Sequence, residues 1–362
     1  MSLSVLLAGG GSIGHVSPLV SLAEELRRRD PAVSLHCVGT VEGLERTVLA
    51  QHDLPMSVIP RVPLPRRPSV ELLKVPGRLS GAVDAAARAI RAADADVVVG
   101  FGGYVSMPAY LAAKRLRIPV VVHEQNALPG IANRFAARFV AKKVAVSFPD
   151  TPLPHAVFTG LPIRHVIADL DRAALASRAR ACFGLDPVAP TLLVTGGSQG
   201  AQRLNTAVSA SADAFARAGV GVLHIIGPRN ELAAAEQTPP YVVIRYADRM
   251  ELAYAAADLV LCRSGANTVA EVAAVGLPAV FVPLPIGNGE QRRNAAGLLA
   301  AGGCLMIDDA DLTADYIRST VIPLATDPDR LATMSGVAQS LMPADADSRL
   351  ADLVEAAAAE AE

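Results

Sequence analysis

Two glycine-rich turns of one kind, about 190 residues apart, constrain this 362-residue chain more than any other feature. The first reads Gly9-Gly10-Gly11-Ser12-Ile13-Gly14-His15, and the second Gly196-Gly197-Ser198-Gln199-Gly200. Each follows a short apolar run, Leu6-Leu7-Ala8 or Leu192-Leu193-Val194-Thr195, and opens a helical pattern. A strand that turns through glycines into a helix presents bare backbone N–H groups to an anion. A single turn of this kind carries little weight. One in each half predicts twin nucleotide-fold domains facing each other across a cleft, with a phosphorylated ligand between them.

At this length two domains are the default, and a hydrophobic share of 51% supports large buried cores. Short apolar, β-branched runs at 4–8, 34–38, 96–100, 120–123, 143–146, 191–195, 221–226, 242–246, 259–262, 279–282 and 304–307 read as strands. The segments between them are long enough for crossover helices. The fold class is therefore α/β, with parallel sheets covered on both faces. Pro149, Pro152, Pro154 and Pro162 interrupt the periodicity and mark a boundary between residues 1–162 and 163–342, with a helix resuming near Arg172. Residues 343–362 read as a helix expected to pack back on the first domain.

Tryptophan is absent, which argues against a stacking surface for sugars or single-stranded nucleic acid; no nucleic-acid partner is expected. Residues 1–164 carry 19 Lys and Arg against 12 Asp and Glu, the remainder 14 against 23, and the net charge is −2. A basic first half attracts a pyrophosphate or an acidic membrane face, although compositional drift gives the same numbers. Residues 63–79 mix Arg66, Arg67, Lys74 and Arg78 with Leu64, Val70, Leu72 and Leu73, as either a lipid-contacting loop or a helix with one solvated face would. Cys37, Cys182, Cys262 and Cys304 are scattered, and read as buried apolar residues of a reducing compartment. No secretory signal stands at the start, and the uncharged stretches 97–113 and 272–289 are broken by Gly and Pro. The chain is expected to be soluble, or at most to sit on a membrane.

Gly9, Gly11 and Gly14 match G-x-G-x-x-G, yet the second strand ends Cys37-Val38-Gly39-Thr40 with no carboxylate until Glu42, which weakens an NAD reading. His15 stands at the helix start, suited either to taking a proton from a hydroxyl or simply to hydrogen-bonding the loop. Gly100-Phe101-Gly102-Gly103-Tyr104 and His123-Glu124-Gln125-Asn126 follow apolar runs, where loops line the crevice of a parallel sheet. The former is also a tight turn, and the latter reads equally as a polar site or a buried network. In the second half, Arg263-Ser264-Gly265-Ala266-Asn267-Thr268 leads into a helix whose amides suit a phosphate. Glu271, read as part of that first turn, suits two ribose hydroxyls, and Thr268 with Glu271 also fits a capping box. Asn288, Glu290, Gln291 and Asn294 suit the hydroxyls of a sugar. Asp94-Ala95-Asp96 and Asp345-Ala346-Asp347 carry DxD letters but read as solvated surface, so neither a metal nor another cofactor is expected.

Taken in order, GGSIGH, VVVGFGGY, HEQNALPG, GLPIR, GGSQGA, DRMELAYAAADLVLCRSGANTVAE and VPLPIGNGEQRRNA resemble the MurG family of bacterial N-acetylglucosaminyltransferases, over about residues 3–340. The resemblance implies a GT-B fold, two Rossmann-like domains with the active site in the cleft. It implies a hexosyltransferase that moves GlcNAc from UDP-GlcNAc to the 4-hydroxyl of MurNAc in undecaprenyl-diphospho-MurNAc-pentapeptide (lipid I), giving lipid II with inversion. It further implies an acceptor and membrane side in the first domain, a UDP-GlcNAc side in the second, and a peripheral place on the cytoplasmic face of the membrane near other cell-wall or division proteins. By the same resemblance His15 is the general base, with Tyr104 and Asn126 on the acceptor side. Ser12, Ile13 and Gly14 lie beside the sugar donor, Arg164 and Ala247 border the nucleotide, and Ser198 meets the diphosphate. Ala266, Asn267, Thr268, Val269, Ala270 and Glu271 cradle sugar, phosphate and ribose, and Gln291 contacts the transferred sugar. Three positions depart from the pattern: Ile13 where a small residue is usual, Asn267 where an apolar one is common, and Glu290 in place of a glutamine. A transferase for another lipid or natural-product acceptor, or a nucleotide-sugar-binding scaffold without turnover, remain alternatives.

Overall fold

The computed structural model describes every residue except 1, 12, 42–44, 63–74, 198, 234–235, 344 and 361–362, and the side chains of 13, 75 and 76. Ser12, Ser198, the side chain of Ile13 and most of the basic stretch 63–79 therefore lie outside the described residues. The chain divides into two compact units, one formed by residues 1–164 with 345–362 and the other by 165–344.

In the first unit the strands are β1 (Ser4–Ala8), β2 (Ser34–Gly39), β3 (Met56–Val58), β4 (Val97–Gly100), β5 (Val120–Glu124), β6 (Lys143–Val146) and β7 (Ala156–Phe158). They form one parallel sheet in the order β3-β2-β1-β4-β5-β6-β7. Successive side chains alternate between two cores: Val5, Leu7, Val97 and Val99 face one, while Leu6, Ala8 and Val98 face the other. Burial on both faces is why these runs read as continuously apolar.

The helix Ala346–Ala359 closes the first of these cores with Leu350, Ala351, Val354 and Ala357, all fully buried. Arg29, in the last turn of the helix Ile13–Arg29, fastens it by donating to Ser348, Asp352 and Glu355. Asp347 is buried at the start of that helix, which corrects the solvated reading for this member of the second DxD, while Asp345 is exposed.

The second unit repeats the plan with β8 (Thr191–Thr195), β9 (Gly221–Ile225), β10 (Tyr241–Ile244), β11 (Leu259–Cys262), β12 (Ala279–Phe281) and β13 (Cys304–Met306). Its parallel order is β10-β9-β8-β11-β12-β13. In both units the direction of winding reverses between the first and fourth strands, and ligands of such sheets bind beyond the strand ends at that reversal. Both glycine turns stand there.

β3 and β7 escape the sequence reading. Each has three residues at a sheet edge, too short and too exposed to leave an alternating pattern, and an edge tolerates the prolines that flank β7. Cys37, Cys262 and Cys304 are buried, and burial raises all three thiols, Cys37 and Cys304 to about 12. Cys182 is exposed, contrary to expectation. Among the described residues no helix is long and apolar enough to cross a membrane.

Truncating Leu350 to Ala removes a fully buried side chain that joins the C-terminal helix to the first sheet. Chemical denaturation of this variant is expected to show the first unit destabilised by about 3 kcal/mol. A loss below about 0.5 kcal/mol would contradict the packing described.

Candidate active site

In the first unit the turn after β1 is held from beneath by Glu45, which is fully buried on the helix Glu45–Gln51. Its carboxylate accepts from Gly11 N at 3.2 Å, Thr40 N at 3.0 Å and Thr40 Oγ1 at 2.9 Å. One amide of the glycine turn is thus already engaged by an anion of the protein itself. This changes the expectation of two equivalent phosphate cradles. The turn after β4 presses on the same place: Gly103 has φ 77, and a Cβ there would collide with Gly10 O. Tyr104 is the second residue of the following helix, Gly103–Leu116, its hydroxyl 3.4 Å from Thr40 Oγ1 and the Arg61 guanidinium 4.9 Å from its ring centre.

His15 occupies the third position of the helix Ile13–Arg29, with exposed Gly14 before it. Its ring lies against the Gly102-Gly103 turn, where a Cβ on Gly102 would stand 3.4 Å from His15 Cδ2. Burial lowers its pKa to about 4, opposed by the negative charge of Glu45, so the imidazole is neutral at physiological pH.

The segment after β5 proves to be mainly a buried network. Glu124 accepts from Asn126 N, Gly130 N and Asn133 Nδ2 at 2.9–3.0 Å, and burial raises its pKa despite those donors. Gln125 Nε2 donates to Phe101 O, tying this turn to the one after β4. Asn126, half-buried, is the member of the group nearest solvent. Arg164, also half-buried, ends the first segment of the first unit.

In the second unit the turn after β8 approaches the loop after β9 backbone to backbone. Gly200 and Gly227 have φ 75 and 92, and a Cβ on Gly227 would lie 2.6 Å from Gly200 Cα. The turn after β11 leads into the helix Ala266–Ala274, whose N-cap is Gly265 with no side-chain cap bond. The capping box of Thr268 with Glu271 is therefore absent: Thr268 is the third helical residue and Glu271 the sixth, beyond the first turn. Glu271 Oε2 instead accepts from Tyr254 OH at 2.8 Å. Asn267 Oδ1 and Ser264 Oγ are buried without a hydrogen-bond partner among the described residues, whereas Val269 and Ala270 pack into the core. Gln291 Oε1 accepts from Leu284 N at 2.9 Å, and Ala247 is buried in the loop after β10.

The sequence thus singles out residues that cluster at the two reversals, but it misses the groups that set them. Glu45 and Asp309 belong to no motif, Thr40 enters only as the end of the second strand, and Tyr254 and Arg263 stand inside a quoted motif that does not reveal their partners. Arg263 pairs with Asp309 at 2.6 Å, both largely shielded from solvent, and the pair fixes the turn after β11. A carboxylate a few residues beyond β2 is the one trace Glu45 leaves in the sequence.

Duplicated Rossmann-like units of this strand order are the architecture of GT-B glycosyltransferases. Residues 5–146 match the N-terminal domain of glycosyltransferase family 28 and residues 191–350 its C-terminal domain, and the chain belongs to that family. It is 59% identical to the UDP-N-acetylglucosamine–N-acetylmuramyl-(pentapeptide) pyrophosphoryl-undecaprenol N-acetylglucosamine transferase of a Nocardioides species, over 97% of each chain. It is 53% identical to the protein of the same name from Streptomyces coelicolor, over 99% of this chain and 100% of that one. The crystal structure of Acinetobacter baumannii MurG superposes with a TM-score of 0.75 at 28% identity, covering 98% of this chain and 99% of that one. A glycosyltransferase of kitacinnamycin shares the fold at 19% identity, with a TM-score of 0.70 over 98% and 99% of the two chains.

His15, His123 and His224 all have pKa values lowered to about 4 by burial. A lowered histidine pKa means that the unfolded chain binds the extra proton first, so the stability it contributes is present above pH 6.5 and is lost as pH falls toward 4. Proton NMR of the His15 ring is expected to titrate near 4. A midpoint near 6.5 would contradict the environment described.

Proposed function

We propose that this chain transfers GlcNAc from UDP-GlcNAc to the 4-hydroxyl of the MurNAc unit of lipid I, giving lipid II with inversion at the anomeric carbon. The names of the relatives support the substrates. The observation that carries the chemistry is the place of His15, a neutral imidazole whose ring lies against the Gly102-Gly103 turn at the reversal of the first sheet.

The reaction is a single displacement. The acceptor oxygen attacks the anomeric carbon from the face opposite UDP, its proton passes to the His15 ring, and the bond to the diphosphate breaks. Negative charge accumulates on the departing UDP, and the side-chain-free N-terminus of the helix Ala266–Ala274 supplies amides and dipole to stabilise it. Ser198 joins at the diphosphate. Glu271, steadied by Tyr254, accepts from the ribose hydroxyls. Gln291 spends its oxygen on Leu284 N and keeps Nε2 to donate to the sugar. Ser12, Ile13 and Gly14 lie beside the transferred sugar, Arg164 and Ala247 border the nucleotide, and Tyr104 and Asn126 serve the acceptor. Because the turn of the first unit already carries Glu45, that unit suits a neutral hydroxyl, and the anionic donor belongs to the second.

The acceptor's polyprenyl chain places the work at the cytoplasmic face of the membrane, reached peripherally through the basic stretch of residues 1–164, near other cell-wall synthesis or division proteins.

His15→Ala is expected to lower kcat for GlcNAc transfer to lipid I about 100-fold or more, while calorimetric binding of UDP-GlcNAc changes less than twofold. Unchanged kcat would remove His15 as the base. No transfer by the unaltered protein would overturn the reading as a whole.

A further inference from the structure

A cavity of about 520 Å³ opens at the ends of β2 and β3 in the first unit, one to two strands away from β1 and outside every residue given a catalytic or substrate role above. Thr40, Val41, Val58 and Ala85 form its walls, and Arg61 and Arg88 bring two guanidinium groups to it. Both arginines are exposed. Neither makes an ion pair among the described residues, whereas Arg115 nearby on the surface is matched with Asp84 and Arg29 with three carboxylates. Two unmatched guanidinium groups over apolar walls recognise a carboxylate carried on a short, partly apolar chain.

The cavity is joined to the His15 turn by contact. Arg61 stacks on Tyr104, the Tyr104 hydroxyl meets Thr40, and Thr40 shares the Glu45 carboxylate with Gly11. We propose that this cavity holds a carboxylate of the acceptor's peptide branch, an inference that rests on the transfer reaction proposed above. In a muramyl acceptor the peptide leaves the ring from the carbon next to the one bearing the 4-hydroxyl, while the diphosphate stands across the ring. With the 4-hydroxyl at His15, the peptide is the acceptor's nearest anionic branch. Neighbouring strands lie about 4.8 Å apart, so the cavity opens roughly 5–10 Å from the end of β1. An extended peptide covers about 3.5 Å per residue, so its first two or three residues span that distance.

Arg88 and Gly81 share one face of the helix Val75–Ala92, two turns apart, and a Cβ on Gly81 meets nothing within 4 Å. The test is steady-state transfer by the full chain to two soluble acceptors, one carrying the pentapeptide and one ending in an uncharged lactyl amide. Arg88→Ala and Gly81→Glu are each expected to raise KM about tenfold for the peptide-bearing acceptor, with kcat within twofold and the lactyl-amide acceptor unaffected. Gly81→Glu reaches the same end by placing a competing carboxylate in the cavity, and it adds a better helix former rather than removing a contact. Equal effects on both acceptors, or none on either, would overturn the cavity assignment while leaving the transfer reaction standing. Failure of the unaltered chain to use either acceptor would instead overturn the reaction, and with it this assignment.

Discussion

Beyond β1 the peptide of Gly10 lies against Gly103 so closely that no side chain fits between them, and beyond β8 Gly200 meets Gly227 in the same way. These backbone contacts fix where the glycine turns sit over their sheets, and the groups of the first reversal take their positions from them. His15 rests against the Gly102-Gly103 turn because the turns after β1 and β4 converge. Glu45 reaches Gly11 because β2 neighbours β1 and returns its following helix to the same rim. Parallel sheets of this order gather such loops at one edge, and the glycines let them close up.

The two reversals are alike in backbone and unlike in charge. In the first unit a buried carboxylate has taken a turn amide, so an external anion there would meet a negative group already in place. In the second, Gly265 starts a helix with no side-chain cap, Asp309 is matched by Arg263, and the helix's own acid, Glu271, lies beyond the first turn and is held by Tyr254. In the reaction proposed above, that difference divides the labour: an electropositive helix end for a diphosphate, and a desolvated, neutral imidazole for a hydroxyl. Burial keeps His15 uncharged, and the neighbouring Glu45 opposes the shift without reversing it.

Much of this was legible in the sequence. β1, β6, β8 and β11 fall on the residues expected, because strands buried on both faces leave unbroken apolar runs. β3 and β7 were not legible, since three-residue edge strands bury too little to pattern. The glycine turns, His15 and the segment after β11 could be read from local spacing. Glu45 could not, because its partners Gly11 and Thr40 come to it through sheet pairing rather than sequence proximity. The spacing of Thr268 and Glu271 misled for the converse reason: a motif of four letters fits a capping box wherever the helix begins, and here it begins at Gly265. The segment His123–Asn126 was open between site and network until the three donors on Glu124 showed where its hydrogen bonds go.

Hydrogen–deuterium exchange of the full chain with and without UDP tests this division of labour most directly. The account expects slowed exchange across residues 263–275, where the diphosphate meets the helix N-terminus, and unchanged exchange across residues 9–15. Protection of the first glycine turn by UDP, with none at residues 263–275, would contradict it.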